Sequence, residues 1–564
     1  MTRQSLQTVV NHVSKNFLVY GICVTFISAV LISIAFPVYF RADDACYLEW
    51  ASTHSPLSAF VASEATQGEV FRPMQQLFWW ILYKIFGLNS TGYQIVVTFL
   101  YGVGFFVMFF GLTKEIFSTR IALLSILSYG ITFFYLTYVP FWFSDLTYIL
   151  EILFANTSIY LFVLGVKKDR KYLLPALIAY FLTVLSKEPC VAIVPAAGVA
   201  YLVASWNKTQ VLRYRKDATI IAIVEVCMGI LWLTLNPSLR ARQGLNLTDS
   251  ITDIVGFAAE RWLFYSKILV SGTGILVWVL GFYLMIELLL RKTKISLTWW
   301  VPLLISCLVS FLIQRVPSLA TVILVGCLFI LSCLNIELSI PGIWFVLPWF
   351  GLLSIAFILR TYLVECAFGL AILMGYSLDW GLVRVIDAYS KLTSTTIRKL
   401  VPVVVSCVLI SLLAFLGPRI LSMLRTLNVV VETRQNFKSA VTHLAKNLKK
   451  EDIHLIVIEY EDMGLDYENY VLRLPDKQKA HIQKNMGEIH LRLFLRVLGL
   501  QSISVHTLKW LKEHPDATNI YLFTMNKGEE QWAETIHLPK KIIFQRETPH
   551  ERVRLYKILS ERSL

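Results

Sequence analysis

The chain has 564 residues, of which 56% are hydrophobic and 13% aromatic, and its mean hydropathy is +0.61. That composition excludes a water-soluble globular protein and assigns a polytopic membrane protein. The formal net charge of +14 does not point to nucleic acid, because Lys and Arg of a membrane protein collect in its cytoplasmic loops. The nine Cys lie mostly in apolar runs, as Cys227, Cys307, Cys327, Cys333 and Cys407 do, and their spacing indicates neither a zinc site nor a disulfide framework.

In chain order, a short polar segment with Arg3 and Lys15 precedes an apolar run over 17–38. At about 1.5 Å per residue this run spans a hydrocarbon core of ~30 Å. It is longer than the apolar region of a signal peptide and ends in Phe36-Pro37-Val38-Tyr39-Phe40 rather than in a small-residue cleavage site. It is therefore read as a retained first helix. A loop over 39–92 follows, with the adjacent carboxylates of Asp43 and Asp44 near its start. Phe71-Arg72-Pro73-Met74 and the aromatic segment through Tyr83 come next, and Lys84 and the short length of that segment suit an interfacial helix. Further apolar runs recur at 93–112, 120–138, 147–166, 172–185, 189–205, 218–236, 268–290, 297–314, 318–334, 342–358, 362–381 and 400–421. With the first helix they make about 13 transmembrane helices.

Charge orients these spans. If the N-terminus is cytoplasmic, the inside loops include Lys167-Lys168-Asp169-Arg170-Lys171, the stretch from Lys208 to Lys216, Arg291-Lys292-Thr293-Lys294 and the stretch from Arg384 to Lys399. Basic residues are then in excess inside, as the positive-inside rule requires. The external face holds Asp43, Asp44 and Arg72 in the first loop, Asp145 in the second and Lys187 with Glu188 in the third. Arg315 and Arg360 lie at later external helix ends. Polar groups that are costly in hydrocarbon thus converge on one side.

After 424 the composition becomes that of an ordinary globular protein. Residues 1–424 are read as the transmembrane domain and 425–564 as a soluble extracytoplasmic α/β domain. The pattern predicts a helix over 428–449, a strand at His454–Ile458 and a helix around 478–498. Strands are predicted at Ile503–Val505, Asn519–Phe523 and Lys541–Phe544. This domain carries no GxGxxG, P-loop or HExxH, and His481 and His490 read as surface or structural residues.

The arrangement resembles the GT-C superfamily of integral-membrane glycosyltransferases, which includes protein O-mannosyltransferases and aminoarabinose transferases. The features that carry the resemblance are the acidic pair in a long first loop and Phe71-Arg72-Pro73-Met74 before an interfacial helix. Phe141-Trp142-Phe143-Ser144-Asp145, Leu185-Ser186-Lys187-Glu188 and Arg360-Thr361-Tyr362-Leu363 with Gly369 add to it. It covers about residues 15–420 and implies a GT-C-like, all-α membrane domain. It further implies transfer of a sugar from a polyprenyl- or dolichyl-phosphate donor to a hydroxyl on lipid, glycan or protein, usually with inversion.

Such a reaction needs a base for the acceptor hydroxyl. Asp43 is the first candidate and Asp44 the second, since two carboxylates side by side can divide the roles of base and ligand. The leaving prenyl phosphate needs cations in a site shielded from water. Arg360 and Lys187 are the first candidates and Arg72 and Arg315 the next; each is otherwise an interfacial anchor. Asp145 and Glu188 are read as orienting or ion-binding acids, with Glu188 otherwise a partner of the adjacent Lys187. No cofactor is required, and a divalent metal beside the acids stays an open alternative. The partners implied are the lipid-phosphate sugar, the hydroxyl acceptor and membrane lipid, with no nucleic acid. A transporter or flippase of lipid-linked saccharides, or a non-catalytic member of the fold, stands as the alternative. A transporter would place its polar residues near the bilayer midplane in two related halves, which this chain lacks.

Overall fold

The computed structural model describes residues 16–40, 44–61, 71–132, 146–205, 214–235, 336–352, 368–380, 434–446, 453–457, 503–514, 516–524, 540–547 and 552–559, with a scatter of further positions. The predicted spans at 268–290, 297–314, 318–334 and 400–421, and most of the predicted helix at 478–498, lie outside the described residues.

Helix α1 (Phe17–Ala35) carries no charge, and Val24, Leu31 and Ile34 are more than half exposed on it. An apolar surface of that kind suits lipid. Helix α2 (Asp44–Thr53) opens the first loop, with Asp44 in its first turn, where a carboxylate meets the positive end of the helix dipole. Asp44 therefore begins a helix rather than ending the first span. Helix α3 (Pro73–Phe86) places Pro73 at its first position, where the missing N–H is not needed. It stops at Gly87, whose φ of +54° is open to a residue without a side chain.

Helix α4 (Ser90–Ile116) is capped by Asn89, whose side chain accepts from the Thr91 N–H. It widens into a π turn over Val103–Met108, and there Asn156 Nδ2 donates to the Gly104 carbonyl at 3.0 Å. Helices α5 (Thr119–Thr132), α6 (Leu146–Lys167), α7 (Leu173–Val184), α8 (Pro189–Ala204) and α9 (Arg215–Leu235) follow. Helices α6 to α9 match the predicted runs to within a few residues and α5 starts where predicted, whereas α10 (Ile336–Leu352) begins well before the predicted run at 342–358. Residues 368–380 form α11, which crosses α10 so closely at Gly369 that a Cβ there would strike the Pro341 carbonyl. Among the described residues three helices are long and apolar enough to cross a membrane, α1, α4 and α6, and the protein is an integral membrane protein.

Ion pairs tie helix ends together at one end of the bundle. Lys168 Nζ reaches Glu115 Oε1 at 2.8 Å, and Arg120 pairs with Asp379. At the other end the Met74 N–H donates to the Leu185 carbonyl at 3.1 Å, and Thr147 Oγ1 donates to the Ser186 carbonyl at 2.9 Å.

Toward the C-terminus, α12 (residues 434–446) precedes a five-stranded sheet of order β2-β1-β3-β5-β4. Its strands are β1 (Ile453–Val457), β2 (Ile503–Thr507), β3 (Ile520–Thr524), β4 (Lys540–Glu547) and β5 (Arg552–Ile558). β1 pairs in parallel with β2 and β3, while β5 runs antiparallel to β3 and β4. Strand β5 and the short helix α13 (Leu508–Glu513) are additions to the predicted elements.

Candidate active site

Asp44 is the member of the acidic pair within the described residues, and it is fully buried. Arg434, from α12, sets Nη1 at 3.7 Å from Asp44 Oδ2 and donates from the same nitrogen to the Tyr39 carbonyl at 3.0 Å. At 3.7 Å the guanidinium acts on the carboxylate through its field rather than by a hydrogen bond. The next residue, Gln435, donates through Nε2 to the Pro37 carbonyl at 3.0 Å, and Lys438 Nζ lies 5.3 Å from the centre of the Tyr39 ring. One face of α12 thus grips the backbone that leads into the acidic pair.

Beneath this grip sits a nest of rings. Phe40 meets Tyr93 edge-on at 4.9 Å and Phe143 at 5.4 Å, and all three are completely buried. Tyr47, three residues after Asp44 and so on the same side of α2, stacks on Trp79 at 5.3 Å with the planes 12° apart. Aromatic pairs of this kind fix α2 on α3.

Arg72, the cap of α3, pairs with Glu188 at 2.9 Å, and the two side chains are only 11% and 12% exposed. Burial works against the Arg72 charge. The field of Glu188, then that of Tyr47, the Glu188 hydrogen bond and Tyr148 outweigh burial and hold its pKa above the ordinary value. The partner of Glu188 is therefore Arg72, 116 residues away. Adjacent residues at a helix start diverge, and Lys187 instead sets Nζ 2.8 Å from the centre of the Tyr148 ring. Lys187 is itself buried.

Asp44, Arg72, Lys187 and Glu188 thus stand at the starts of α2, α3 and α8, with Tyr47 and Tyr148 close enough to act on Arg72 and Tyr148 under Lys187. Asp43, Asp145, Arg315 and Arg360 lie outside the described residues. Sequence reasoning missed Arg434, Tyr47 and Tyr148, and it missed Glu151. Glu151 is fully buried in α6, and its Oε1 accepts from the Cys190 N–H at 2.6 Å. That carboxylate meets the exposed N–H groups at the start of α8. A single acid within an apolar run was the available signal for it. Among the described residues no three His, Cys, Asp or Glu side chains group as metal ligands.

Residues 71–232 match the family model described as dolichyl-phosphate-mannose-protein mannosyltransferase. None of the curated proteins matches the chain. Among solved structures, the chain is similar to ArnT from Cupriavidus metallidurans bound to undecaprenyl phosphate, with 13% identity, a TM-score of 0.44 and coverage of 97% of this chain and 98% of that one. The apo state of the same protein gives 13% identity, a TM-score of 0.42 and coverage of 96% and 98%. The Archaeoglobus fulgidus oligosaccharyltransferase tethered to an acceptor peptide gives 11% identity, a TM-score of 0.39 and coverage of 96% and 74%. The family match spans Arg72, Lys187 and Glu188.

Proposed function

We propose that this protein moves a sugar from a polyprenyl- or dolichyl-phosphate donor to a hydroxyl of a lipid, glycan or protein, with inversion at the anomeric carbon. In this reading the N-terminus is cytoplasmic, the site faces the extracytoplasmic side, and residues 425–564 form a domain on that side. The observation that carries it is the gathering of a buried carboxylate, Asp44, and two buried cations, Arg72 and Lys187, around the stretch that the family match covers.

The acceptor oxygen attacks the anomeric carbon as its proton passes to a carboxylate. The bond from that carbon to the phosphate oxygen breaks, and the lipid phosphate leaves with the electron pair. Asp43 takes the proton and Asp44 supports it, held by Arg434 and by the first turn of α2. Arg360 and Lys187 receive the charge of the leaving phosphate, with Arg72 and Arg315 behind them. Asp145 and Glu188 orient these groups. Because the Arg72 charge is met by Glu188 at 2.9 Å, its first role is to hold α3 against α8. A positioned base supplies about 10²–10⁴-fold in rate.

The test is to reconstitute the full chain in liposomes with a polyprenyl-phosphate sugar labelled in the sugar, adding lipid, glycan or protein fractions from the native envelope. The expected result is label in one acceptor fraction with release of polyprenyl phosphate. Comparison of envelope glycolipids and glycoproteins by mass spectrometry, with and without the gene, then names the acceptor. Envelope glycans unchanged by loss of the gene, with no label transferred, would overturn the reading.

A further inference from the structure

A cleft of about 830 Å³ opens where α2 faces the C-terminal sheet, within the range of small-molecule sites. Its two walls differ in chemistry. On one side stand Arg492 and Arg496, four residues apart in helical backbone and therefore on one face. The floor is the edge strand β2, which contributes Ile503 to His506; being terminal in the sheet order, it turns one row of backbone N–H and C=O groups away from β1.

The facing wall is made by Glu49, Ser52 and Thr53 of α2. Ser52 Oγ donates to the Glu49 carbonyl at 2.7 Å and Thr53 Oγ1 to the same carbonyl at 2.9 Å. Thr53 Oγ1 also lies 2.8 Å from His54 Nδ1 and 3.3 Å from the Trp50 carbonyl; each hydroxyl has one proton, so what Ser52, and Thr53 beyond its His54 contact, offer the cleft is lone pairs. With the Glu49 carboxylate they make an acceptor wall opposite a cationic donor wall.

His506 at the floor is firmly held. Its ring stacks on Trp510 at 3.9 Å with the planes 11° apart, and its Nε2 lies 3.1 Å from His454 Nδ1. The floor is thus built rather than loose surface.

We propose that this cleft binds a polyhydroxylated phosphate, with the phosphate between Arg492 and Arg496 and the ligand hydroxyls donating to Glu49, Ser52 and Thr53. Two guanidinium groups one turn apart suit phosphate oxygens, and a row of acceptors suits hydroxyl donors. A simple anion satisfies one wall and a neutral polyol the other. The chemistry is shared by a phosphoglycerol lipid headgroup and a free sugar phosphate. The cleft lies farther along α2 than Asp44, whose position precedes Glu49 by five residues and Ser52 by eight, or ~7.5 to ~12 Å along the axis. The inference does not rest on the transfer reaction.

The test is calorimetric titration of the full chain in phosphatidylcholine nanodiscs with glycerol 1-phosphate, inorganic phosphate and glycerol. Glycerol 1-phosphate is expected to bind saturably and at least about tenfold more tightly than inorganic phosphate, with glycerol inert. Arg492→Gln with Arg496→Gln is expected to abolish binding of both phosphates. Glu49→Gln is expected to weaken glycerol 1-phosphate but not inorganic phosphate. Arg496 is exposed, so Arg496→Gln alone, with an unaltered melting curve, separates lost binding from lost folding. In nanodiscs containing phosphatidylglycerol, competition against added glycerol 1-phosphate identifies the headgroup as the source, and undiminished binding identifies a free phosphate. Unchanged affinity in the double Arg variant, equal affinity for the two phosphates, or no saturable binding in either lipid would overturn the proposal.

Discussion

Two positions in the first loop each carry a buried ion pair, and the pairs are built differently. Arg72 meets Glu188 at 2.9 Å with a direct hydrogen bond, inside the helical bundle. Arg434, which comes from the C-terminal region, stands 3.7 Å from Asp44 and donates to the Tyr39 carbonyl, so it fixes the chain beside the carboxylate. The first arrangement commits both charges to holding helices together. The second sets a cation near a buried carboxylate and ties it to the backbone just before that carboxylate.

Breaking the tight pair is expected to have the largest effect on stability. Arg72→Met, which strands Glu188, is expected to destabilise the protein by about 3–5 kcal/mol, read as a lowered melting temperature in detergent. Arg72→Met combined with Glu188→Leu is expected to recover most of that loss. If the double variant melts normally but transfers no sugar, Arg72 belongs with the phosphate ligands as well as with the frame.

The looser pair is expected to show itself in turnover instead. Arg434→Gln is expected to lower kcat about tenfold, equivalent to about 1.4 kcal/mol, with little change in KM and with partial rescue by Arg434→Lys. The pH profile of kcat is expected to shift in Arg434→Gln, which a purely structural contact would not cause. A fall in stability with unchanged kcat would place Arg434 with Arg72 as a fastener.

The smallest effect is expected in the sheet. His506 is pushed down to about 4, first by burial and then by His454, Arg492 and His514. The unfolded chain therefore binds more protons than the folded one between about pH 4 and the ordinary His value of 6.5. Stability of this region rises with pH across that window and declines as pH falls through it. Unfolding midpoints measured from pH 4 to 7 are expected to show this slope, and His506→Gln is expected to flatten it. An unchanged slope in that variant assigns the effect to another group.

Much of the helical architecture was legible in the sequence because apolar runs and their breaks are local. The start of α3 at Pro73, its stop near Gly87 and the limits of α6 follow from neighbouring residues alone. The common end shared by residues 72–74 and 185–188 was legible from charge counting, which reports on the membrane rather than on contacts. The pairing of Glu188 was not, since sequence proximity suggested Lys187 and the partner lies 116 residues away. The role of Arg434 was hidden for the same reason, 395 residues from the Tyr39 carbonyl that it holds. Strand β5 did carry a signal, for Arg552-Val553-Arg554-Leu555 alternates in polarity, but the alternation breaks at Tyr556-Lys557 and is too short to stand out.

The most direct test of the central claim compares the wild-type chain with Asp43→Asn and Asp44→Asn in reconstituted liposomes supplied with a labelled polyprenyl-phosphate sugar and the responsive acceptor fraction. The account predicts that Asp43→Asn lowers the initial rate of transfer by about 10²–10⁴-fold, that Asp44→Asn lowers it less, and that both variants keep the wild-type melting temperature. Near-normal turnover in both would contradict it.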